Sequence, residues 1–122
     1  HQAERGPEWR AIEEPLNPDQ ALAALKGGSV VLMDCLTLWL NNLLAYNEDI
    51  EWAGGRLSDL IEAARLYPGP VIIVSNEVGG GIVPMNALAR KFRDLAGSAN
   101  QRLAAAAEKV VLVTAGLEQR LK

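Results

Sequence analysis

Cysteine, histidine and phenylalanine each occur once in this chain of 122 residues, and there are only two tyrosines. With Cys35 alone, no internal disulfide can form; this suits a reducing compartment, so a cytoplasmic location is expected. Charge of one sign is scarce too: 12 Lys and Arg stand against 15 Asp and Glu, a formal net charge of −3. That balance argues against a broad nucleic-acid surface, although a local phosphate site needs only a few cations. No apolar run is long enough to span a bilayer, and no signal-peptide pattern opens the chain. The phosphate-cradling motif G-x-x-x-x-G-K-[ST] is missing. Gly79-Gly80-Gly81 is followed by no Lys-Ser or Lys-Thr, and Lys26-Gly27-Gly28-Ser29 has the wrong order and precedes a strand. The chain opens on His1-Gln2-Ala3-Glu4-Arg5-Gly6-Pro7 without methionine, so it is expected to be the C-terminal part of a longer protein.

What is present is globular: 49% hydrophobic and 22% charged residues, enough for one domain with a real core. The most informative stretch is Asn76-Glu77-Val78-Gly79-Gly80-Gly81-Ile82-Val83-Pro84, directly after Pro70-Val71-Ile72-Ile73-Val74-Ser75. Four consecutive β-branched residues predict a strand buried on both faces, as in parallel sheets. The strand ends in an amide, a carboxylate and three glycines, and Pro84 suits the first turn of a helix. Ligands of open α/β sheets bind beyond the carboxyl ends of the strands. A site is therefore expected here, with a plain glycine-rich connection as the alternative.

Along the chain, Trp9 to Glu13 reads as a short strand. Asn17-Pro18-Asp19 starts a helix with a capping amide, Pro in the first turn and an acid favoured by the helix dipole. Leu22 and Leu25 form its stripe, and Gly27-Gly28 end it. Val30-Val31-Leu32-Met33 is a second doubly buried strand, closed by Asp34. Leu36, Trp39, Leu40, Leu43 and Leu44 give one broad helical face. Another helix covers Glu51 to Leu66, with Leu57, Leu60, Ile61 and Ala64 inward, until Tyr67-Pro68-Gly69-Pro70 breaks it. A long helix runs from about Pro84 to Ala107, with Leu88, Phe92, Leu95, Ala99 and Leu103 on one face and Arg90, Lys91, Arg93 and Arg102 largely elsewhere. Lys109 to Thr114 is the last strand. Alternating strands and helices, with apolar strands, predict an α/β domain with a mainly parallel sheet and flanking helices.

Several groups could do chemistry. Val30-Val31-Leu32-Met33-Asp34 has the form of a Walker B strand, whose rigid apolar run delivers one carboxylate to the sheet edge near a magnesium ion. A loop-capping Asp is the plain alternative. A neutral imidazole is a competent nucleophile towards phosphorus, and since an unperturbed histidine has a pKa of ~6.5, a large fraction of such side chains is neutral at physiological pH, which makes His1 a candidate. Arg5 shares a face with His1 if that segment is helical, placing a guanidinium near an attacked phosphate; simple exposure of a terminal His is the alternative. Glu13 and Glu14 offer acceptors for ribose hydroxyls or a base edge, or are solvated strand-end acids. Arg93, Asp94, Asn100 and Gln101 read as a polar helix face. Trp39 and Trp52 are expected in the core or at subunit contacts.

Taken together, the chain resembles the bifunctional adenosylcobinamide kinase/adenosylcobinamide-phosphate guanylyltransferase family, the CobU/CobP type. The anchors are His1-x-x-x-Arg5 with Trp9 and Glu13, then Asp34-Cys35-Leu36-Thr37-Leu38-Trp39-Leu40-x-Asn42-Leu43-Leu44. They continue through Ser75-Asn76-Glu77-Val78-Gly79-x-Gly81-Ile82-Val83-Pro84. The last are Arg90-x-Phe92-Arg93-Asp94-x-x-Gly97-x-x-Asn100-Gln101-x-x-Ala104, and Gly116. The ordered set, with its spacings over nearly the whole chain, is specific although no single piece is.

The resemblance implies a P-loop NTPase (RecA-like) three-layer architecture, with residues 1–122 one nucleotide-binding domain lacking its amino-terminal P-loop segment. It implies that His1 is guanylylated, that Gln2, Ala3, Glu4 and Arg5 contact guanine nucleotide, and that Glu13 and Asp34 belong to the nucleotide site. Asp34 would hold or orient Mg2+, and Asn76, Glu77 and Gly79 would form the site rim. The implied substrates are GTP, ATP and adenosylcobinamide, in an expected homo-oligomer whose contacts the Trp39–Leu40 helix would supply. The truncation puts the activity of this piece in doubt. A non-catalytic nucleotide-binding or assembly module, or another P-loop ATPase, are the competing readings.

Overall fold

The computed structural model describes residues 6–122, so His1, Gln2, Ala3, Glu4 and Arg5 lie outside the described residues. In chain order the elements are α1 (Pro18–Ala23), β1 (Val31–Met33), α2 (Leu36–Tyr46), α3 (Ile50–Leu66), β2 (Val71–Ile73), α4 (Ala87–Ala106), β3 (Val111–Thr114) and β4 (Leu117–Arg120). β1 and β2 pair in parallel, with Val31 opposite Val71, Leu32 opposite Ile72 and Met33 opposite Ile73. β3 and β4 form a separate antiparallel hairpin. The chain is thus mixed α/β around a small parallel sheet.

Helix placement follows from periodicity and caps. On α2, Leu36, Trp39, Leu40, Leu43 and Leu44 are buried on one face while Leu38 is turned outward. α3 begins at Asp49, whose Oδ1 accepts from the N–H groups of Glu51 at 2.9 Å and Trp52 at 3.3 Å. It stops at Tyr67 because the following Pro68 disfavours helical backbone before it. α4 is capped by Asn86, whose Oδ1 accepts from Ala89 N–H at 3.0 Å. Ala96 and Ala99 on α4 have no exposure, so their small side chains let α4 approach the leucines of α2 and α3. Met33 and Ile73 add the inner face of the sheet to that core.

Three expectations need correction. Residues 9–13 form no strand; Trp9 N–H instead donates to Gly6 O at 3.1 Å in a turn. The strands β1 and β2 are covered on one face only. Val30, Leu32, Ile72 and Val74, all on the other face by the pleat and the register, are exposed, because α2, α3 and α4 pack on the inner side. Trp39 and Leu40 are buried inside the chain at 3% and 0% exposure, so Trp39 takes the core place, one of the two expected for it. Finally, α4 starts at Ala87 rather than near Pro84, since Asn86 takes the cap, and Leu88 in its first turn is exposed.

β4 was absent from the sequence expectation. Ala115 and Gly116 both have positive φ, 52° and 78°, which is the geometry of a tight two-residue hairpin. Gly116 was the visible signal; alanine at the preceding position hid it. Lys122, beyond β4, donates from Nζ to the carbonyls of Ala104 and Ala105 at 3.0 Å each, closing the carboxyl end of α4.

Candidate functional site at the carboxyl edge of the parallel strands

Parallel pairing brings the ends of β1 and β2 to one edge. Val74 N–H donates to Met33 O at 3.0 Å, and Leu36 N–H donates to Val74 O at 2.8 Å. Asp34 and Cys35 therefore bridge between two hydrogen bonds to the same residue, and the chain turns straight into α2. Asp34 is exposed there, with no hydrogen-bond partner for its carboxylate among the described residues. A rigid strand thus delivers an uncommitted carboxylate to the sheet edge. The residues that follow Val74 on β2, namely Ser75, Asn76 and Glu77, are delivered to the same edge.

Side-chain hydrogen bonds fix those residues. Asn76 Nδ2 donates to Thr37 Oγ1 at 2.6 Å, in the first turn of α2. Thr37 is itself buried, and the Cys35 thiol lies 3.2 Å from its hydroxyl. From α4, Asn100 takes Ser75 Oγ–H onto Oδ1 at 2.6 Å and donates from Nδ2 to Glu77 Oε1 at 2.7 Å. Nearer the amino end of α4, Arg93 Nη2 donates to Gly79 O at 2.7 Å, while Arg90 Nη1 donates to Pro84 O at 3.0 Å and Met85 O at 2.6 Å. The glycine loop is therefore pinned at both stems. A Cβ on Gly80 or Gly81 would meet nothing, so these glycines give backbone freedom rather than relieve a close approach.

The structure thus brings together four of the expected site residues, Asp34, Asn76, Glu77 and Gly79. Glu13 is exposed in the irregular segment before α1. Its neighbour Glu14 is committed locally: Oε1 accepts from Leu16 N–H at 3.0 Å and Asn17 N–H at 2.9 Å. Those donors, Asn17 first, hold the Glu14 carboxyl below its usual range. Sequence reasoning left Thr37, Ser75 and Asn100 without a role at the site. Thr37 and Asn100 each face a partner more than twenty residues away in sequence, and only the fold pairs them.

Among the described residues, no three His, Cys, Asp or Glu side chains cluster as a metal cage. Magnesium does not require one. It keeps several waters and is held by one or two carboxylates together with substrate phosphates, which is the donor set that Asp34 offers. A cleft of about 320 Å³ lined by Leu16, Asn17, Tyr46, Trp52 and Arg56 lies elsewhere. Tyr46 ends the 11-residue α2 that starts beside Asp34, a helix length of ~16 Å away. Arg56 in that cleft is already paired, with Asp19 at 2.7 Å and Asp59 at 3.2 Å.

A parallel-strand edge carrying one free carboxylate beside a pinned glycine loop lies where open α/β folds place their ligands. The sequence pattern of the family described as cobinamide kinase / cobinamide phosphate guanyltransferase matches residues 1–121. Similar proteins include a bifunctional adenosylcobalamin biosynthesis protein CobP of Pseudomonas aeruginosa, 42% identical over 127 residues, covering 100% of this chain and 70% of that protein. Two CobU proteins of the same description, from Escherichia coli K12 and Salmonella typhimurium, are 39% and 41% identical. In both cases the match covers 100% of this chain and 75% of the relative. The chain belongs to the cobinamide kinase / cobinamide phosphate guanyltransferase family, and it is an enzyme chain.

Proposed function

We propose that the protein acts in cobalamin biosynthesis, phosphorylating adenosylcobinamide and then converting adenosylcobinamide phosphate to adenosylcobinamide-GDP. The observation that carries this reading is Asp34, free at the sheet edge and joined there by Asn76 and Glu77, in a chain of this family. In the first reaction the aminopropanol hydroxyl attacks the γ-phosphorus of ATP or GTP, loses its proton, and the nucleoside diphosphate leaves. In the second, the His1 imidazole attacks the α-phosphorus of GTP, and the bond to pyrophosphate breaks. The adenosylcobinamide phosphate oxygen then attacks that phosphorus, the phosphorus–nitrogen bond breaks, and His1 is freed. Two in-line displacements replace one difficult transfer.

Mg2+, when bound, would neutralise charge developing on the transferring phosphoryl oxygens. Asp34 is the residue that would hold it. Gln2, Ala3, Glu4, Arg5 and Glu13 would contact the guanine nucleotide, with the Arg5 guanidinium offsetting phosphate charge. Asn76, Glu77 and Gly79 form the rim. The apolar outer face of β1 and β2 supports a three-layer P-loop architecture, in which parallel sheets carry helices on both sides. A cytoplasmic homo-oligomer completes the reading; no helix of the described residues is long and apolar enough to cross a membrane.

The test is covalent labelling of the full-length protein with GTP labelled at the α-phosphate. An acid-labile, base-stable adduct is expected, lost in His1→Ala. Equal labelling of His1→Ala would overturn the assignment, and nucleotide binding without pyrophosphate release would replace the transferase by a binding module.

A further inference from the structure

Asparagine in a helix interior normally costs stability, because its amide competes for nearby backbone groups. Asn100 lies well inside α4, and its amide leaves the helix altogether. Oδ1 accepts from Ser75 Oγ at 2.6 Å, and Nδ2 donates to Asn76 O at 3.2 Å and Glu77 Oε1 at 2.7 Å. One side chain thereby ties three consecutive residues of the β2 end to α4. With its main chain held from that side, Asn76 turns its own amide the other way, onto Thr37 Oγ1 at 2.6 Å. Thr37 stands in the first turn of α2, three positions after Asp34.

We propose that Asn100 is a positioning residue: through Ser75 and Glu77 it fixes the Asn76 amide at the edge where Asp34 stands. Glu77 then serves as a tether whose carboxylate answers the Asn100 N–H, rather than as a reacting group. Amide and carboxylate make a charge-assisted pair whose direction can be reversed by exchanging the two residues. The groups held are exposed, so water can satisfy them when the tether is cut, and folding depends little on it. The geometric half of the proposal stands alone; its kinetic half rests on the transferase reading.

The experiment uses the full-length protein with Asn100→Ala, Asn100→Asp, and the exchange Asn100→Asp with Glu77→Gln. Hydrogen exchange of the Asn76 side-chain amide, assigned by its loss in Asn76→Asp, reports geometry without any turnover. In Asn100→Ala that exchange should quicken about tenfold, kcat should fall about tenfold, and KM for GTP should stay within about twofold, as for lost orientation. The melting temperature should hardly move. Asn100→Asp should do at least as much harm, and the exchanged pair should recover part of the loss, since the contact to position 77 returns while the donor to Asn76 O does not. Unchanged Asn76 exchange in Asn100→Ala overturns the proposal, as does a kcat loss that merely tracks unfolding or an exchanged pair no better than Asn100→Asp. If the parent protein forms no guanylyl adduct, the transferase reading fails instead, and amide exchange alone decides whether Asn100 positions Asn76.

Discussion

Where α2, α3 and α4 meet, Leu36, Leu40, Leu43, Leu57 and Leu60 are almost wholly removed from water. At the sheet edge Asp34, Ser75, Asn76, Glu77 and Gly79 are all exposed, and cross-element side-chain hydrogen bonds hold the last four. The first region is held by area, the second by direction. Burial is non-directional, so the core tolerates exchange among apolar residues of similar volume. The edge stores little stability, and under the proposed function its residues serve the ligand. Mutations should therefore separate the two regions: core changes should move stability and leave turnover per folded molecule alone, and edge changes should do the reverse.

The largest stability effect is expected from Leu40→Ala. Leu40 has no exposure and sits in the middle of the α2 face, so truncation loses transfer energy and leaves a cavity. A cost of about 3–4 kcal/mol is expected, read as a lower urea midpoint with the slope unchanged. Turnover per folded molecule should stay as in the parent. A larger loss of turnover than of folded protein would break the division between core and edge. Asp34→Asn is the opposite case. Turnover should fall about a hundredfold, the scale on which one aimed electrostatic group matters, while the melting temperature stays nearly fixed. Unchanged turnover, or an unfolded variant, would remove Asp34 from the metal role.

The same division explains what the sequence disclosed. Periodic burial writes itself into spacing, so the α2 face and the inward residues Leu57 and Leu60 of α3 were legible before any coordinates. Asp34 and the Asn76–Pro84 loop were legible because an apolar strand ending in polar residues marks its own carboxyl end. Asn100 was not. A lone amide on a polar helix face has no local signature, and its partners Ser75, Asn76 and Glu77 lie more than twenty positions away. The supposed strand at Trp9 to Glu13 failed because a few apolar residues without a pairing partner form no ladder.

Arg56→Ala should fall between core and edge. Arg56 and Asp19 are both largely buried, at 16% and 13% side-chain exposure, and their 2.7 Å pair fastens α3 to α1. Nη2 also donates to Asn17 Oδ1 at 3.1 Å. Removing the guanidinium leaves a largely buried carboxylate without this partner, at a cost of about 1–3 kcal/mol. Because α1 lies outside the edge network, kcat and KM should not follow. A matching fall in kcat would show that α1 and the sheet edge are mechanically joined.

Glu14→Gln should give the smallest effect and the most specific signature. The N–H groups of Asn17 and Leu16 favour the charged carboxylate, so its pKa in the folded chain lies below the ordinary 4.5. A group with a depressed folded pKa contributes stability that is fully present above the unfolded pKa and is lost as pH falls through the folded one. The contribution should therefore be intact near pH 7 and disappear on acidification below about 4.5, once the carboxylate is protonated. Glutamine keeps an acceptor oxygen but has no charge to lose. The urea midpoint of Glu14→Gln should lie slightly below that of the parent near pH 7, and the two should converge as the pH falls below the ordinary carboxylate range and the parent carboxylate is protonated. A constant gap across that range would mean that the hydrogen bonds, and not the charge, secure the entry to α1. Turnover near pH 7 should be the same in both proteins, since Glu14 is committed to the backbone before α1 and takes no part in the edge that Asp34 and Asn76 share.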